Sequence, residues 1–152
     1  MRISFRWTDG KDQDFQSFGL KTEEYYNQIV GGADNRKAFM PYNISDSVTH
    51  VLIAYDGDTA VGCAGLKPYS WNSAEIKRVW VEPSYRRSHI AQEMMNRLEK
   101  KALESGFNQL ILQTREIMTG AVRLYIKLGY HCIQNYPPYD NLDGAICFAK
   151  EL

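Results

Sequence analysis

No apolar run in this chain reaches the roughly 18 residues that a membrane-spanning helix needs. The opening residues, Met1-Arg2-Ile3-Ser4-Phe5-Arg6-Trp7, lack the long apolar stretch of a secretory signal. A cytoplasmic protein with no membrane partner is therefore expected. Neither sign of charge is in surplus: 18 basic residues balance 18 acidic ones. That argues against nucleic acid as the main partner, while leaving room for a local basic pocket. Cysteine and histidine are sparse, at three each. Cys63, Cys132 and Cys147 stand far apart with no C-x-x-C spacing, so buried free thiols are expected. Cys63 and Cys147 lie in apolar strand-like runs, which suits inert core thiols better than a nucleophile. His50, His89 and His131 have no metal-ligand spacing, so no metal site is expected. The G-x-S-x-G elbow, the Walker A loop and the H-E-x-x-H pair are all missing. There is no repeat, no low-complexity tract and no linker.

What remains is ordinary globular material: 152 residues, 44% hydrophobic and 24% charged, read as one domain over 1–152 with a sizeable core. Aromatics are plentiful, and many cluster in 15–42 and 136–139, outside the segments that read as regular core. The alternation Ile3-Ser4-Phe5-Arg6-Trp7 predicts a first strand. Asp12 to Val30 is helical in character, in two pieces divided near Gly19, and Gly31-Gly32 stops it. Residues 33–47 form a loop or an irregular turn of helix. Val48–Tyr55 and Ala60–Leu66 read as strands joined by the hairpin turn Asp56-Gly57-Asp58-Thr59. Ser73–Val81 is the next strand, closed by Pro83. Ile90, Ala91, Met94, Met95, Leu98 and Ala102 fall at helical spacing, with Gly106 as the C-terminal cap. Leu110-Ile111-Leu112 predicts a strand buried on both faces. A helix from about Thr119, as N-cap, to Leu128 ends at Gly129. Strands at Tyr130–Ile133 and Ala145–Lys150 flank the loop Tyr136-Pro137-Pro138-Tyr139-Asp140-Asn141.

The chemistry concentrates in Val79-Trp80-Val81-Glu82-Pro83-Ser84-Tyr85-Arg86-Arg87-Ser88-His89-Ile90-Ala91. A strand stops, two arginines follow, and an amphipathic helix begins. Backbone N–H groups at a helix N-terminus beside positive charge are what binding a pyrophosphate requires. A solvated Arg-Arg turn with a surface histidine is the competing reading. Two further stretches tip the balance: Glu75 upstream, and Leu124-Tyr125-Ile126-Lys127-Leu128-Gly129-Tyr130 downstream.

Together, Val81 to Ala91, the helix that follows and Ala121 to Tyr130 resemble the GNAT N-acetyltransferase superfamily. Val61-Gly62-Cys63-Ala64, Ala74-Glu75-Ile76-Lys77-Arg78 and Asn135-Tyr136-x-x-Tyr139 look like a subgroup of small bacterial members. The resemblance implies an α/β (α+β) fold: a mixed, mostly antiparallel central sheet, flanked by helices and splayed between its fourth and fifth strands. It implies acetyl-CoA as cosubstrate, held in that wedge. It also implies transfer of the acetyl group to a primary amine, of a small molecule or a peptide, by direct attack in a ternary complex. A homodimer is compatible with it by analogy alone. An acyl-CoA-binding sensor with little catalysis is the alternative.

Residue by residue, the resemblance assigns Arg86, Arg87, Ser88, His89, Ile90 and Ala91 to the pyrophosphate loop. Arg86 and Ala91 fit the family pattern, whereas His89 stands where the first glycine is usual. Its ring either obstructs phosphate or touches it. The backbone of Val79, Trp80 and Val81 is implied to pair with the pantetheine arm as an added strand would, with one N–H aimed at the thioester carbonyl. Tyr125 is implied as the acid that protonates the leaving thiolate; ordinary thiol and phenol pKa values lie near roughly 8.5 and 10. Met118 replaces an asparagine common in the family. Glu75 is expected as general base or as an anchor for the cationic acceptor. Tyr26, Tyr136 and Tyr139 are expected to line the acceptor pocket, with Tyr25, Phe39 and Tyr42 as further candidates.

Overall fold

The computed structural model describes residues 1–30 and 47–152. Phe39, Tyr42 and the Gly31-Gly32 stop lie outside the described residues. Seven strands form one sheet: β1 (Ile3–Thr8), β2 (His50–Asp56), β3 (Thr59–Pro68), β4 (Ser73–Val81), β5 (Gln109–Arg115), β6 (His131–Ile133) and β7 (Ala145–Glu151). Their order across the sheet is β1-β2-β3-β4-β5-β7-β6. Every neighbouring pair is antiparallel except β4–β5, which is parallel. Among the described residues three α-helices accompany the sheet: α1 (Gln13–Val30), α2 (Ile90–Glu104) and α3 (Thr119–Lys127). The mixed α/β architecture is the one expected. Periodicity predicts the chain order of elements but not that β7 inserts between β5 and β6.

Two cores lie on opposite faces of the sheet. Ile90, Met94, Met95, Leu98 and Ala102 of α2 bury against Leu52, Ala64, Leu66, Ile76, Val81, Leu110 and Leu112. On the other face, Phe15 and Phe18 of α1 pack with Val51, Ile53, Cys63 and Trp80. A third cluster, Tyr139, Ala145 and Cys147, gathers under the loop before β7. Even a partial count of such burial, at about 25 cal/mol per Å2 of apolar surface, makes it the dominant stabilising term.

Helix ends follow local chemistry. Asp12 accepts the Phe15 amide on its side chain (3.1 Å) and the Gln16 amide on its carbonyl (3.0 Å), capping α1. Both predicted glycine caps occur: Gly106 and Gly129 each take φ +94°, and the next amides, of Phe107 and Tyr130, return to Ala102 and Tyr125. Three local expectations are corrected. The first helix runs unbroken through Gly19, since the apolar contacts of Phe15 and Phe18 hold both sides of it to one core. Met118, not Thr119, is the N-cap of α3, because the Met118 carbonyl already accepts from Val122 (3.1 Å). Cys132 is exposed, because β6 is a three-residue edge strand with both its first residues facing out.

Two irregularities shape β4. Its ladder with β3 shifts register between Cys63 and Gly65, and Arg78 opposite the shift has φ +58°. This is a bulge with a left-handed residue. Before it, Ala74 and Ile76 face the α2 core; after it, Val81 does and Trp80 faces α1. Gly62 permits the close approach: a Cβ there would stand 2.8 Å from the Trp80 carbonyl oxygen. The second irregularity is on the other edge. Pairing with β5 covers only Ser73, Ala74 and Glu75, opposite Gln109, Leu110 and Ile111. Beyond Glu75 the two strands part.

Candidate functional site

The parting of β4 from β5 opens a cleft of about 710 Å3. Its walls are Ile76 to Val81 on one side and Leu112 to Arg115 on the other, closed by the starts of α2 and α3 and by Tyr25 and Tyr26 of α1. Among the described residues the strand edge from Ile76 onward has no strand partner on the β5 side. Its backbone is thus available to an extended ligand, as in strand addition.

At one end the chain turns from β4 into α2. Pro83–Tyr85 make a turn of 3-10 helix, and the Tyr85 hydroxyl donates to Asp56 at the β2–β3 turn (2.7 Å). That hydrogen bond, with the Arg2 amide, holds the Asp56 carboxyl below its ordinary range. Ser88 donates from its hydroxyl to the Tyr85 carbonyl. Arg87 and His89 both take φ +65°, and His89 is the N-cap of α2 with no side-chain capping bond. Left-handed residues in such a turn can direct successive amides into a concavity of the kind that binds anions. The first-turn amides of Ile90, Ala91 and Gln92 have no partner within the helix. The histidine therefore adopts the backbone conformation that glycine adopts readily, at a cost of roughly 1–2 kcal/mol. Arg86 departs from a simple phosphate-facing pose. Its Nε donates to the Val81 carbonyl (2.9 Å), and its guanidinium lies over the rings of Trp80 (4.8 Å) and Tyr25 (5.0 Å).

Tyr125 is buried on α3, beside Tyr130 and Phe148, and lines the same cleft as Tyr26. Burial pushes its phenol well above the ordinary range, and Tyr26 adds to the shift. Met118 also lines the cleft.

Glu75 stands apart from this wall. It is 3% exposed, at the last paired position of β4. Its Oε2 accepts from the Tyr136 hydroxyl (2.7 Å), and its Oε1 lies 3.8 Å from Lys77 Nζ. Lys77 donates to the Tyr139 hydroxyl (2.9 Å) and, unlike Glu75, lines the cleft. Burial lowers the Lys77 ammonium below its usual range, although Glu75 opposes the shift. Burial and the Glu75 carboxylate together raise the Tyr136 phenol. The expected residues thus fall into two groups. Val79, Trp80, Val81, Arg86, Arg87, His89, Ile90, Ala91, Tyr26 and Tyr125 line one cleft, with Ser88 bracing its loop. Glu75, Tyr136 and Tyr139 form a buried polar cluster that reaches the cleft through Lys77. Lys77 and Arg115 also line the cleft without belonging to any motif; their period-two placement with Glu75 and Gln113 is the only sequence signal for them. Among the described residues no group of His, Cys, Asp or Glu could hold a metal ion, and no helix is long and apolar enough to cross a membrane.

Among the described residues, the sheet is split at its one parallel pair, β4–β5. The chain belongs to the acetyltransferase (GNAT) family, whose model matches residues 9–130. It is 30% identical over 98 residues, 64% of this chain, to Probable N-acetyltransferase 14 of Xenopus tropicalis, and covers 47% of that relative. The chain spans about half the length of the curated relatives it matches first. The fold matches a GNAT family acetyltransferase from Elizabethkingia anophelis with acetyl-CoA bound, at TM-score 0.72 and 20% identity over 99% of both chains. It also matches PaiA N-acetyltransferase from Thermoplasma acidophilum in complex with coenzyme A, at TM-score 0.75 and 16% identity over 100% of both chains.

Proposed function

We propose that residues 1–152 act as one domain that moves an acetyl group from acetyl-CoA to a primary amine within a ternary complex. The observation that carries this reading is the β4 edge that, among the described residues, has no strand partner on the β5 side beyond Glu75 and leads directly into the left-handed turn at the start of α2. The residues present fit the cosubstrate. Arg87, Ser88, His89, Ile90 and Ala91 would hold its pyrophosphate, with Arg86 turning from the Tyr25–Trp80 pair or screening the charge from there. The backbone of Val79, Trp80 and Val81 would hold the pantetheine arm. The cosubstrate supplies an activated acyl carbon on a thioester.

The chain's own groups then divide the work. The amine nitrogen attacks the acyl carbon, the C–S bond breaks, and the nitrogen loses a proton while the sulfur gains one. Glu75 takes the proton from the nitrogen through an intervening water, since the carboxylate sits one layer behind the wall. An amide of the open β4 edge steadies the negative charge that develops on the carbonyl oxygen. Tyr125 supplies the proton to sulfur. Its raised pKa keeps it protonated across the neutral range, and the same desolvation raises the proton affinity of a thiolate beside it, so the transfer is not steeply uphill. Holding amine and thioester together contributes on the order of several kcal/mol. The cytoplasm is the compartment this reading implies.

Calorimetry with acetyl-CoA tests the binding half, and a thiol-release assay across an amine panel tests the transfer half. Saturable binding with amine-dependent thiol release is expected. Absence of binding refutes the reading; binding without release from any amine turns it into a sensor.

A further inference from the structure

The open edge of β4 is capped at one point by the chain itself. The Glu82 amide donates to the Val61 carbonyl (2.8 Å), and the Trp80 carbonyl faces Gly62, so Glu82 and Trp80 turn these backbone groups toward β3. Successive residues of a strand present their N–H and C=O to alternate sides. Those of Val81, between the two, therefore face the cleft. The Val81 carbonyl accepts there from Arg86 Nε (2.9 Å). The guanidinium lies over Trp80 (4.8 Å) and over Tyr25 of α1 (5.0 Å), two rings that meet edge to face at 5.5 Å. Tyr25, Trp80, Val81 and Arg86 all line the cleft. One side chain thus caps a carbonyl of the open edge and bridges that edge to α1.

The indole N–H of Trp80, in the ring that the guanidinium covers, is buried with no hydrogen-bond acceptor among the described residues. The packing around Arg86 thus leaves a donor unmatched, which a rearrangement can remedy. We infer that Arg86 is a latch that the cosubstrate displaces: the pantetheine arm takes over the Val81 carbonyl, and the guanidinium leaves the Tyr25–Trp80 pair for the diphosphate. The inference rests on the acetyl-CoA reading above. No covalent bond changes in the exchange. The carbonyl trades a guanidinium N–H for an amide N–H of the arm. The guanidinium trades two ring faces for an anion, a stronger partner for a planar cation with several donors. Its departure removes a contact that holds Tyr25 against β4. Lys21 and Glu23 keep earlier turns of α1 tied to Glu82 and Arg78, so the movement is local to this stretch of the cleft wall.

Tryptophan fluorescence reads the latch directly. The chain has three tryptophans, Trp7, Trp71 and Trp80, and of these Trp80 alone lines the cleft. A Trp7→Phe, Trp71→Phe background leaves Trp80 as the sole indole reporter. Titration with acetyl-CoA is expected to shift its emission when Arg86 is present. After Arg86→Ala the shift should be much smaller, and the spectrum without ligand should already resemble the bound one. A second variant weakens the latch and keeps the guanidinium. Tyr25→Leu removes one ring face, so calorimetry should show acetyl-CoA bound about two- to tenfold more tightly, the range of a cation–π contact. An equal emission shift with and without Arg86, or no shift in either, overturns the inference. So does a folded Tyr25→Leu chain that binds acetyl-CoA no more tightly than its parent; if that variant does not fold, the fluorescence pair decides alone. Failure of acetyl-CoA to bind the parent chain is the separate result that removes the reading beneath it.

Discussion

Two parts of the cleft are built by different means. The one at the start of α2 is made of backbone: a strand edge, two left-handed residues and the first turn of a helix, all within Val79–Gln92. The other is made of side chains gathered from β4, β5 and α1, with the cluster under the loop before β7 behind them. A backbone site depends on conformation more than on identity, which is why His89 can occupy a glycine position and still keep φ +65°. A side-chain site depends on identity, because each donor and acceptor in it is buried against a specific partner.

Substitutions can break or sharpen this contrast. The largest effect is expected from Tyr125→Phe, which removes the proposed acid: kcat should fall roughly 10²- to 10⁴-fold, with acetyl-CoA affinity by calorimetry nearly unchanged. Equal turnover would take Tyr125 out of the chemistry. Arg86→Ala comes next. Losing one charged contact should weaken CoA binding roughly tenfold or more, and the loss should shrink at high salt; an unchanged affinity would confine Arg86 to packing on Trp80 and Tyr25. In the side-chain part, Tyr136→Phe leaves the buried Glu75 oxygen without its donor. Stability should drop by about 1–3 kcal/mol in denaturant unfolding, and acceptor KM should change while CoA binding does not. A matched loss of CoA affinity would mean the two parts are one unit. His89→Gly is the mildest: CoA binding is preserved or tightened if the backbone alone makes the nest, and a clear loss would show that the imidazole contributes.

A pH measurement probes the frame around both parts. Burial alone would raise the Asp12 carboxyl, but the Phe15 amide and the Arg6 guanidinium outweigh it and hold the pKa below the ordinary carboxylate value. The native state therefore binds its proton less readily than the unfolded chain. The resulting stability is fully present above the unfolded value and is lost as pH falls through the folded one. Asp12→Ala should lower stability by about 1 kcal/mol at neutral pH and flatten the acid limb of the stability curve. An unaltered acid limb would dismiss the cap as its source.

Legibility in the sequence follows the same division. Strand alternation, the helical spacing of Ile90 to Ala102 and the caps at Gly106 and Gly129 are local signals, and the elements they predict are present within a residue or two. The turn from β4 into α2 is legible for the same reason, since every part of it is contiguous. The insertion of β7 beside β5 is not, because pairing partners such as Arg115 with Ala145 and Gln109 with Glu151 lie far apart in the chain and leave no trace in periodicity. Nor was the bond from Tyr136 to Glu75, which spans 61 positions. Only the fold reveals that Lys77, and not Glu75, meets the cleft. The orientation of Arg86 was equally hidden, because it depends on Tyr25, which arrives from α1.

The extra residue at Arg78 lets a single strand carry two alphabets. Upstream of it, odd-numbered side chains such as Glu75 and Lys77 share a surface with α1 and the loop before β7; downstream, the even-numbered Trp80 occupies that surface. Removing one position there would invert the assignment for everything up to Val81, driving a valine into the aromatic nook beside Phe18 and turning the indole toward the methionines of α2. Substitutions upstream thus keep their facing, whereas a single deletion would reverse the facing of everything downstream.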